Sequence, residues 1–216
     1  MADLLIRRRL MIPQDEILPE WDLEWVSHDD GYPTTKGFTL WTNGSGTGSI
    51  SLTDYYTKIT AKNSYEAAYH LPYFDTTPQK IVCEAKMKIG TSSQGGCYLQ
   101  VSNATSASNY KSIRVRVQHS TNYKGIYVYD TGTSLSTATK LQSASLDTLY
   151  TLKVIVDGDY ADIYVNDVLK SSHIDLSTTT NTSVTARSYV SIGGQGTGSS
   201  NTPTYLREFR MKINRL

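Results

Sequence analysis

Six side chains suited to binding a sugar occupy alternate positions in three neighbouring segments. They are Tyr98 and Gln100 in CYLQVSN (97–103), Arg114 and Arg116 in YKSIRVRVQ (110–118), and Tyr127 and Tyr129 in KGIYVYD (124–130). Tyrosine rings pack against the apolar faces of sugars, and Arg and Gln form paired hydrogen bonds with hydroxyl groups. The spacing therefore predicts a shallow ligand-binding surface on one face of a sheet. The alternative is a solvated sheet face that also carries Glu84 and Lys86, with ordinary cross-strand pairs such as Glu84 with Arg114.

No familiar catalytic arrangement accompanies these side chains in the sequence. Hydrolysis of a glycosidic bond commonly uses two carboxylates close together, which alternate positions on one strand can supply. After Glu84, the alternate positions on its strand are occupied by Lys86 and Lys88, which cannot replace a second carboxylate. A cluster of three carboxylates lies near a predicted turn, where such groups are usually solvated: Asp157, Asp159 and Asp162. The histidines belong to no serine or cysteine nucleophile motif and are interpreted as surface or loop residues: His28, His70, His119 and His173. We therefore predict no catalytic residue, and that the protein is not an enzyme.

Metal ligands and reactive thiols are equally sparse. Calcium is bound by carboxylate, amide and carbonyl oxygens, but Asp29, Asp30 and Asp75 have no recognisable ligand spacing. We predict no cofactor, with bound calcium as the alternative, and assign no metal ligands. Cys83 and Cys97 both fall on the apolar side of their segments, which is typical of small core residues. A cross-strand disulfide is the alternative if the register brings the two residues together.

The elements that must position these side chains are strands. Apolar and polar residues alternate in KIVCEAKMKI (80–89) and in the three segments above, which predicts an antiparallel meander with one buried face. A hairpin is predicted from YTLKVIVDG (150–158) and ADIYVND (161–167), and a second tight turn is predicted at Asn166-Asp167. Two later strands are predicted at SYVSIGG (188–194) and YLREFRMKI (205–213). Helical periodicity is not sustained after residue 20. We predict an all-β, two-sheet antiparallel sandwich.

Composition limits the classes of partner. The 216 residues include 21 Lys and Arg against 20 Asp and Glu, so no overall field favours nucleic acid. No apolar run approaches about 18 residues, so no membrane insertion is predicted. Sixteen Tyr against three Phe suit sheet and ligand-contact surfaces. Trp25 and Trp41 are interpreted as core or hairpin anchors, with stacking on sugar rings as the alternative.

The first 20 residues differ from the rest and are predicted to form an N-terminal arm, with one domain over 21–216. Apolar residues surround a basic run in this arm: Leu4, Leu5, Ile6, Arg7, Arg8, Arg9, Leu10 and Met11. Solvated tails are usually poor in such apolar residues, and arginines pair with carboxylates. The arm is therefore predicted to anchor the chain to another protein, a disordered tail being the alternative.

The stretch IYVNDVL (163–169) and the last strand, YLREFRMKI, resemble the concanavalin A-like, laminin-G-like jelly-roll superfamily. The resemblance covers roughly residues 36–216 and implies a fold that hosts lectins, hydrolases, lyases and structural modules. Asp167 stands where Gly is common in the superfamily, and Asp also tolerates the turn conformation.

The amino-terminal layout is similar to virion-associated proteins of bacteriophages and of prophages in gut bacteria. It consists of MADLLIRRRLMIP, PEWDLEW (19–25) and GFTLWTNGSGTGSIS (37–51). This resemblance implies a capsid or tail accessory protein that folds in the host cytoplasm and resides in the virion. Its implied partners are other virion proteins, bound through the arm, and host-surface glycans, and a homo-oligomer is expected.

The predicted function is accordingly a virion accessory protein with a lectin-like domain for adhesion to glycans or proteins. A free carbohydrate-binding module is the first alternative, but such a module has no use for a basic, apolar arm. A glycoside hydrolase or lyase on the same fold is the second, and the missing carboxylate pair counts against it.

Overall fold

The computed structural model describes residues 21–44, 46–63, 65–72, 80–91, 94–102, 112–130, 138–158, 160–176, 189–199 and 201–214. These residues contain one helical turn, α1 (Ser27–Asp30), one 3₁₀ helix (Pro33–Lys36) and fifteen strands. The strands are β1 (Leu23–Val26), β2 (Thr39–Asn43), β3 (Gly48–Thr53), β4 (Tyr56–Ala61), β5 (Glu66–Pro72), β6 (Lys80–Ile89), β7 (Gly95–Ser102), β8 (Ser112–His119), β9 (Lys124–Asp130), β10 (Thr139–Gln142), β11 (Tyr150–Asp157), β12 (Tyr160–Val165), β13 (Val168–Asp175), β14 (Tyr189–Gly196) and β15 (Thr202–Asn214). Neither helix is long or apolar enough to cross a membrane. The predicted arm, residues 1–20, lies outside the described residues.

The strands form two antiparallel sheets. Sheet 1 has the order β13-β12-β11-β6-β15-β4-β3, and β1 pairs with β15 beside this path. Sheet 2 has the order β10-β9-β8-β7-β14-β5-β2. The predicted two-sheet antiparallel sandwich is confirmed. In sheet 2, β14 comes from late in the chain and separates β7 from β5, so the strands of this sheet are not in sequence order.

The core lies between the two sheets and is built by period-two alternation. The central strands turn alternate apolar residues inward, as Cys83, Ala85 and Met87 do from β6 and Cys97, Leu99 and Val101 do from β7. Burying a side chain such as Leu or Ile stabilises the fold by roughly 1.5–3 kcal/mol. Trp25 lies in this core as predicted, and its indole N–H donates to the carbonyl of Gly31 at 3.1 Å.

One part of the predicted meander is wrong, because β6 belongs to sheet 1 whereas β7, β8 and β9 are consecutive in sheet 2. The connection after β6 passes from one sheet to the other: the amide of Gly90 donates to Pro203 in sheet 1, and that of Gln94 to His119 in sheet 2. Glu84 therefore pairs with Lys153 at 3.0 Å and not with Arg114. Alternation could not reveal this, since both sheets turn their apolar residues toward the same core.

The predicted turn at Asn166-Asp167 is confirmed. Both residues have positive φ, 49° and 61°, as a two-residue hairpin turn that follows the strand twist requires. The Asn166 side chain accepts a hydrogen bond from the amide of Thr151 at 2.9 Å. Asp167 thus takes the conformation for which Gly is common in the superfamily.

The two cysteines lie on opposite sheets, both with their side chains in the core, and they form no disulfide. Cys83 lies in β6 and Cys97 in β7, and both are free and fully buried. Burial raises the pKa of the Cys97 thiol to about 12 and that of Cys83 still further. The interpretation of both as small core residues is confirmed.

Candidate functional site

The outer face of sheet 2, the face turned away from the core, collects the predicted ligand-binding residues in rows that cross the strands. The middle row contains Lys140, Tyr127, Arg116, Tyr98, Gly193, Ala68 and Trp41. The row on one side contains Tyr129, Arg114, Gln100, Ser191, His70 and Thr39, and the row on the other contains Gly125, Gln118, Gly96, Gln195, Glu66 and Asn43. The six predicted residues thus share one face, although for Tyr129 only the backbone position is described.

Small residues in this face let long side chains lie flat against the sheet. A Cβ atom on Gly193 would come within 2.8 Å of the Tyr98 hydroxyl, and one on Gly96 within 2.5 Å of Arg116 Nε and 2.6 Å of Gln118 Oε1. The side chains of Tyr98 and Arg116 therefore pass over these glycines and reach partners on the strand beyond, Glu66 on β5 and Gln195 on β14. This explains how outward-facing side chains become buried.

Tyr98 is held in a network that ties three strands together. Its hydroxyl donates to Glu66 Oε1 at 2.6 Å, and the guanidinium of Arg114 lies over its ring at 4.0 Å from the ring centre. Arg114 in turn donates from Nε to Gln100 Oε1 at 2.6 Å and lies 3.5 Å from Glu66. Because only 1% of Tyr98 is exposed, its ring supports the face from below and is not an open stacking surface.

Arg116 lies at the centre of the face with an incomplete set of partners. Its Nη1 donates to Gln195 Oε1 at 2.7 Å, whereas Nε and Nη2 are buried and have no hydrogen-bond partner among the residues that the structure describes. The neighbouring Gln118 Oε1 is likewise buried and unpartnered. Since the great majority of buried polar atoms in proteins are hydrogen-bonded, these atoms need a partner, either ordered water or a ligand, and they make this face a candidate binding site.

A cluster around His70, formed with Ser191 and Trp41, lies on the part of the face built by β14, β5 and β2, and the sequence did not predict it. His70 Nδ1 is 2.6 Å from Ser191 Oγ, and the His70 ring meets the Trp41 ring edge-on with centres 5.5 Å apart. His70 Nε2 is buried and unpartnered. The pKa of His70 is lowered, chiefly by burial and further by the nearby Arg114, while Glu66 acts in the opposite direction. Because the pKa is below its ordinary value, the imidazole is mainly neutral at neutral pH. His70 is not a loop residue, because it occupies strand β5, where it lies partly buried on the outer face of sheet 2.

A pocket of about 320 Å³ opens where β8 ends and β9 begins. The residues that line it carry amide or hydroxyl groups, and one of them adds an aromatic ring: Gln94, Gln118, Ser120, Thr121, Asn122, Tyr123 and Thr197. The Tyr123 ring meets the Tyr127 ring edge-on with centres 6.0 Å apart. Through Gln118 and Tyr127 the pocket is continuous with the outer face of sheet 2.

The described residues contain no group of three or more His, Cys, Asp or Glu side chains placed to hold a metal. Asp30 is engaged otherwise, since it accepts from the amide of Val26 at 2.9 Å and pairs with Lys36 at 2.9 Å. Asp75 lies outside the described residues. The calcium alternative therefore stays a prediction without an assigned site.

Solved lectin-like domains share this fold. The metal-free carbohydrate recognition domain of Emp46p matches over 92% of this chain and 100% of its own, with a TM-score of 0.64 and 8% identity. A Bacillus subtilis protein of unknown function with a galectin-like fold matches over 91% of this chain and 98% of its own, with a TM-score of 0.62 and 12% identity. No protein-family model and no curated protein matches the chain. The lectin-like part of the sequence resemblance is confirmed, while its virion part stays a prediction.

The prediction that the protein is not an enzyme is contradicted, because enzymes are among the structures that share the fold. The alginate lyase AlyC3 matches over 73% of this chain and 74% of its own, with a TM-score of 0.53 and 15% identity. A sialidase matches over 89% of this chain with a TM-score of 0.64 and 7% identity, and this chain spans 18% of its length. At such identities the likeness shows the fold alone. The missing carboxylate pair was a poor criterion, since histidine and tyrosine also transfer protons.

Proposed function

We propose that this protein binds a polysaccharide on the outer face of sheet 2. The observation that supports this best is the gathering of buried, unpartnered polar atoms there, from Arg116, Gln118 and His70, beside aromatic rings. Sugars supply hydroxyl donors and acceptors in the spacing that such side chains need, and their apolar faces pack on aromatic rings. Trp41 at one end and Tyr123 at the other are the rings best placed to stack on well-separated units of one sugar chain, since about five strand spacings of ~4.8 Å lie between them.

Binding is tested by affinity electrophoresis of the protein through gels containing neutral or acidic polysaccharides. Retardation by at least one polysaccharide is expected, and Trp41→Ala should weaken that binding roughly fivefold, which corresponds to about 1 kcal/mol for one aromatic contact. Tyr160→Ala is the matched control, since Tyr160 is a half-exposed aromatic on a strand of sheet 1. Equal weakening by both variants, or no retardation by any polysaccharide, would refute the proposal.

Cleavage of the bound polysaccharide is a second candidate, favoured by the His70 cluster. A neutral imidazole with one nitrogen oriented by a hydroxyl and the other unpartnered is suited to accept a proton from a substrate. Incubation with polysaccharides that bind should then produce new chain ends, and His70→Asn should abolish them while leaving retardation in gels. Absence of new ends with every polysaccharide that binds would leave a binding module.

The virion role is a separate proposal. It rests on the basic, apolar composition of residues 1–20, which would anchor a homo-oligomer to other virion proteins and present the sandwich to host-surface glycans. Deleting residues 2–12 should leave the sandwich folded but prevent incorporation into particles. If the truncated protein is incorporated normally, the arm is only a tail. If the full chain is not incorporated either, a free carbohydrate-binding module becomes the preferred interpretation.

A further inference from the structure

Arg116 is a buried cation without a buried anion beside it. Only 3% of the residue is exposed, and among the residues that the structure describes no carboxylate forms an ion pair with it. Its one hydrogen-bond partner, Gln195, is neutral. Burying a guanidinium removes its hydration, and this cost is normally offset by an anion and by hydrogen bonds to every N–H group.

The two unpartnered nitrogens of Arg116 form one edge of the guanidinium. Nε and Nη2 direct their N–H bonds to the same side in one plane, which is the side-on fork that the two oxygens of a carboxylate match. Nη1, at the remaining corner, is fixed by Gln195 at 2.7 Å. The fork is therefore already oriented before any ligand arrives.

The pocket beside Tyr123 brings a ligand next to this fork, and because Nε and Nη2 are buried, a neighbouring side chain has to move before an anion can reach them. Gln118 lines the pocket, and its Oε1 and Arg116 Nε lie over the same glycine, Gly96. A sugar held among the amide and hydroxyl groups of the pocket thus lies next to Gln118. Arg116 is the preceding outward residue on strand β8.

The charges on the face favour an anion as well. Its middle and side rows carry three permanent cations, Arg114, Arg116 and Lys140, against the carboxylate of Glu66. Glu66 is already engaged by Tyr98 and Arg114, which leaves Lys140 and Arg116 for an incoming anion, and of these two only Arg116 offers a planar fork.

We propose that the outer face of sheet 2 selects an acidic polysaccharide, and that the carboxylate of a sugar unit in the Tyr123 pocket binds the Nε–Nη2 edge of Arg116. The inference rests on the proposed polysaccharide-binding function and names its ligand class. Lysine cannot replace Arg116 here, because an ammonium is a point charge without the planar fork.

The test measures binding of alginate, polygalacturonate and hyaluronan, each beside its carboxyl-reduced counterpart, together with dextran sulfate. The full chain should bind at least one polyuronate more tightly than its reduced form. Arg116→Gln and Arg116→Lys should each weaken that binding roughly 10- to 100-fold, the range expected for hydrogen bonds to a charged group. Arg210→Gln removes the same charge from sheet 1, where Arg210 pairs with Glu24, and should leave binding unchanged.

Folding of the Arg116 variants is followed separately by thermal unfolding. Arg116→Gln removes an unpaired buried charge, so its Tm should equal or exceed that of the unmodified chain, while stabilisation by the polyuronate disappears. Equal binding of a polyuronate and its reduced form overturns the inference and leaves the proposed function standing. Arg116-dependent binding of dextran sulfate alone overturns the carboxylate assignment, and binding of none of the polymers overturns both proposals.

Discussion

The guanidinium of Arg114 lies over the ring of Tyr98, 4.0 Å from the ring centre, and Glu66 contacts both residues. The stack contributes roughly 0.5–2 kcal/mol, depending on how completely water is excluded. Because the three residues lie on different strands of sheet 2, the network fixes the relative positions of those strands. The candidate site is thus rigid before a ligand binds.

Removing the Tyr98 hydroxyl should destabilise the protein. Tyr98→Phe keeps the ring beneath Arg114 but deletes the 2.6 Å hydrogen bond to Glu66, a carboxylate that is mostly buried. We expect the free energy of unfolding to fall by about 1–3 kcal/mol, measured by urea denaturation. Tyr164→Phe, whose ring lies near Lys153 on sheet 1, is the control and should change stability little.

Gly193 should not tolerate a side chain. Gly193→Ala places a Cβ atom 2.6 Å from the carbonyl oxygen of Ala67 and 2.8 Å from the Tyr98 hydroxyl, so the strands or Tyr98 must move. A loss of about 1–3 kcal/mol in unfolding free energy is expected, together with weaker polysaccharide binding. Gly158→Asn provides the comparison, because nothing lies within 4 Å of an added Cβ there and Asn tolerates the positive φ of 54°. Equal losses in both variants would contradict this account.

His70 should make stability depend on pH. Its folded-state pKa is lowered from the ordinary value of 6.5, chiefly by burial, so the unfolded chain takes up the proton more readily. The stabilising contribution is therefore complete above pH 6.5 and is lost as pH falls through the folded-state pKa. Urea denaturation at several pH values should show a smaller loss on acidification for His70→Asn than for the unmodified chain. His173→Asn, at an exposed position, should follow the unmodified chain.

The two thiols should be inert in the folded protein. Cys83 and Cys97 are fully buried, and burial raises the pKa of Cys97 to about 12, so the reactive thiolate is rare. A chromogenic disulfide reagent should label neither thiol at neutral pH under native conditions and both in urea. Rapid labelling of either residue in the native protein would show that the core opens locally.

The fold could be predicted because alternation and turn residues are local signals. The strand pattern predicted the sandwich, and Asn166-Asp167 predicted its turn. The sheet to which β6 belongs could not be predicted, since a strand of either sheet shows the same apolar and polar alternation.

The candidate site could be predicted only in part. Tyr98, Arg114 and Arg116 share a face because their strands are neighbours in sequence as well as in space. His70 and Ser191 join them through long-range pairing of β5 with β14, and no short-range pattern reports that register. Alternation also predicts only that a side chain points outward, so it did not show that Tyr98 is covered by Arg114.

The position of β14 has a consequence for how the protein is made. The meander of β7, β8, β9 and β10 can pair as it is synthesised, but residues 189–196 must arrive before it can join β5 and β2. The two halves of the candidate site therefore meet late, at the most non-local step of folding, where pairing is slow. A chain that ends before residue 189 would expose unpaired edges of β7 and β5, and such fragments should aggregate during synthesis.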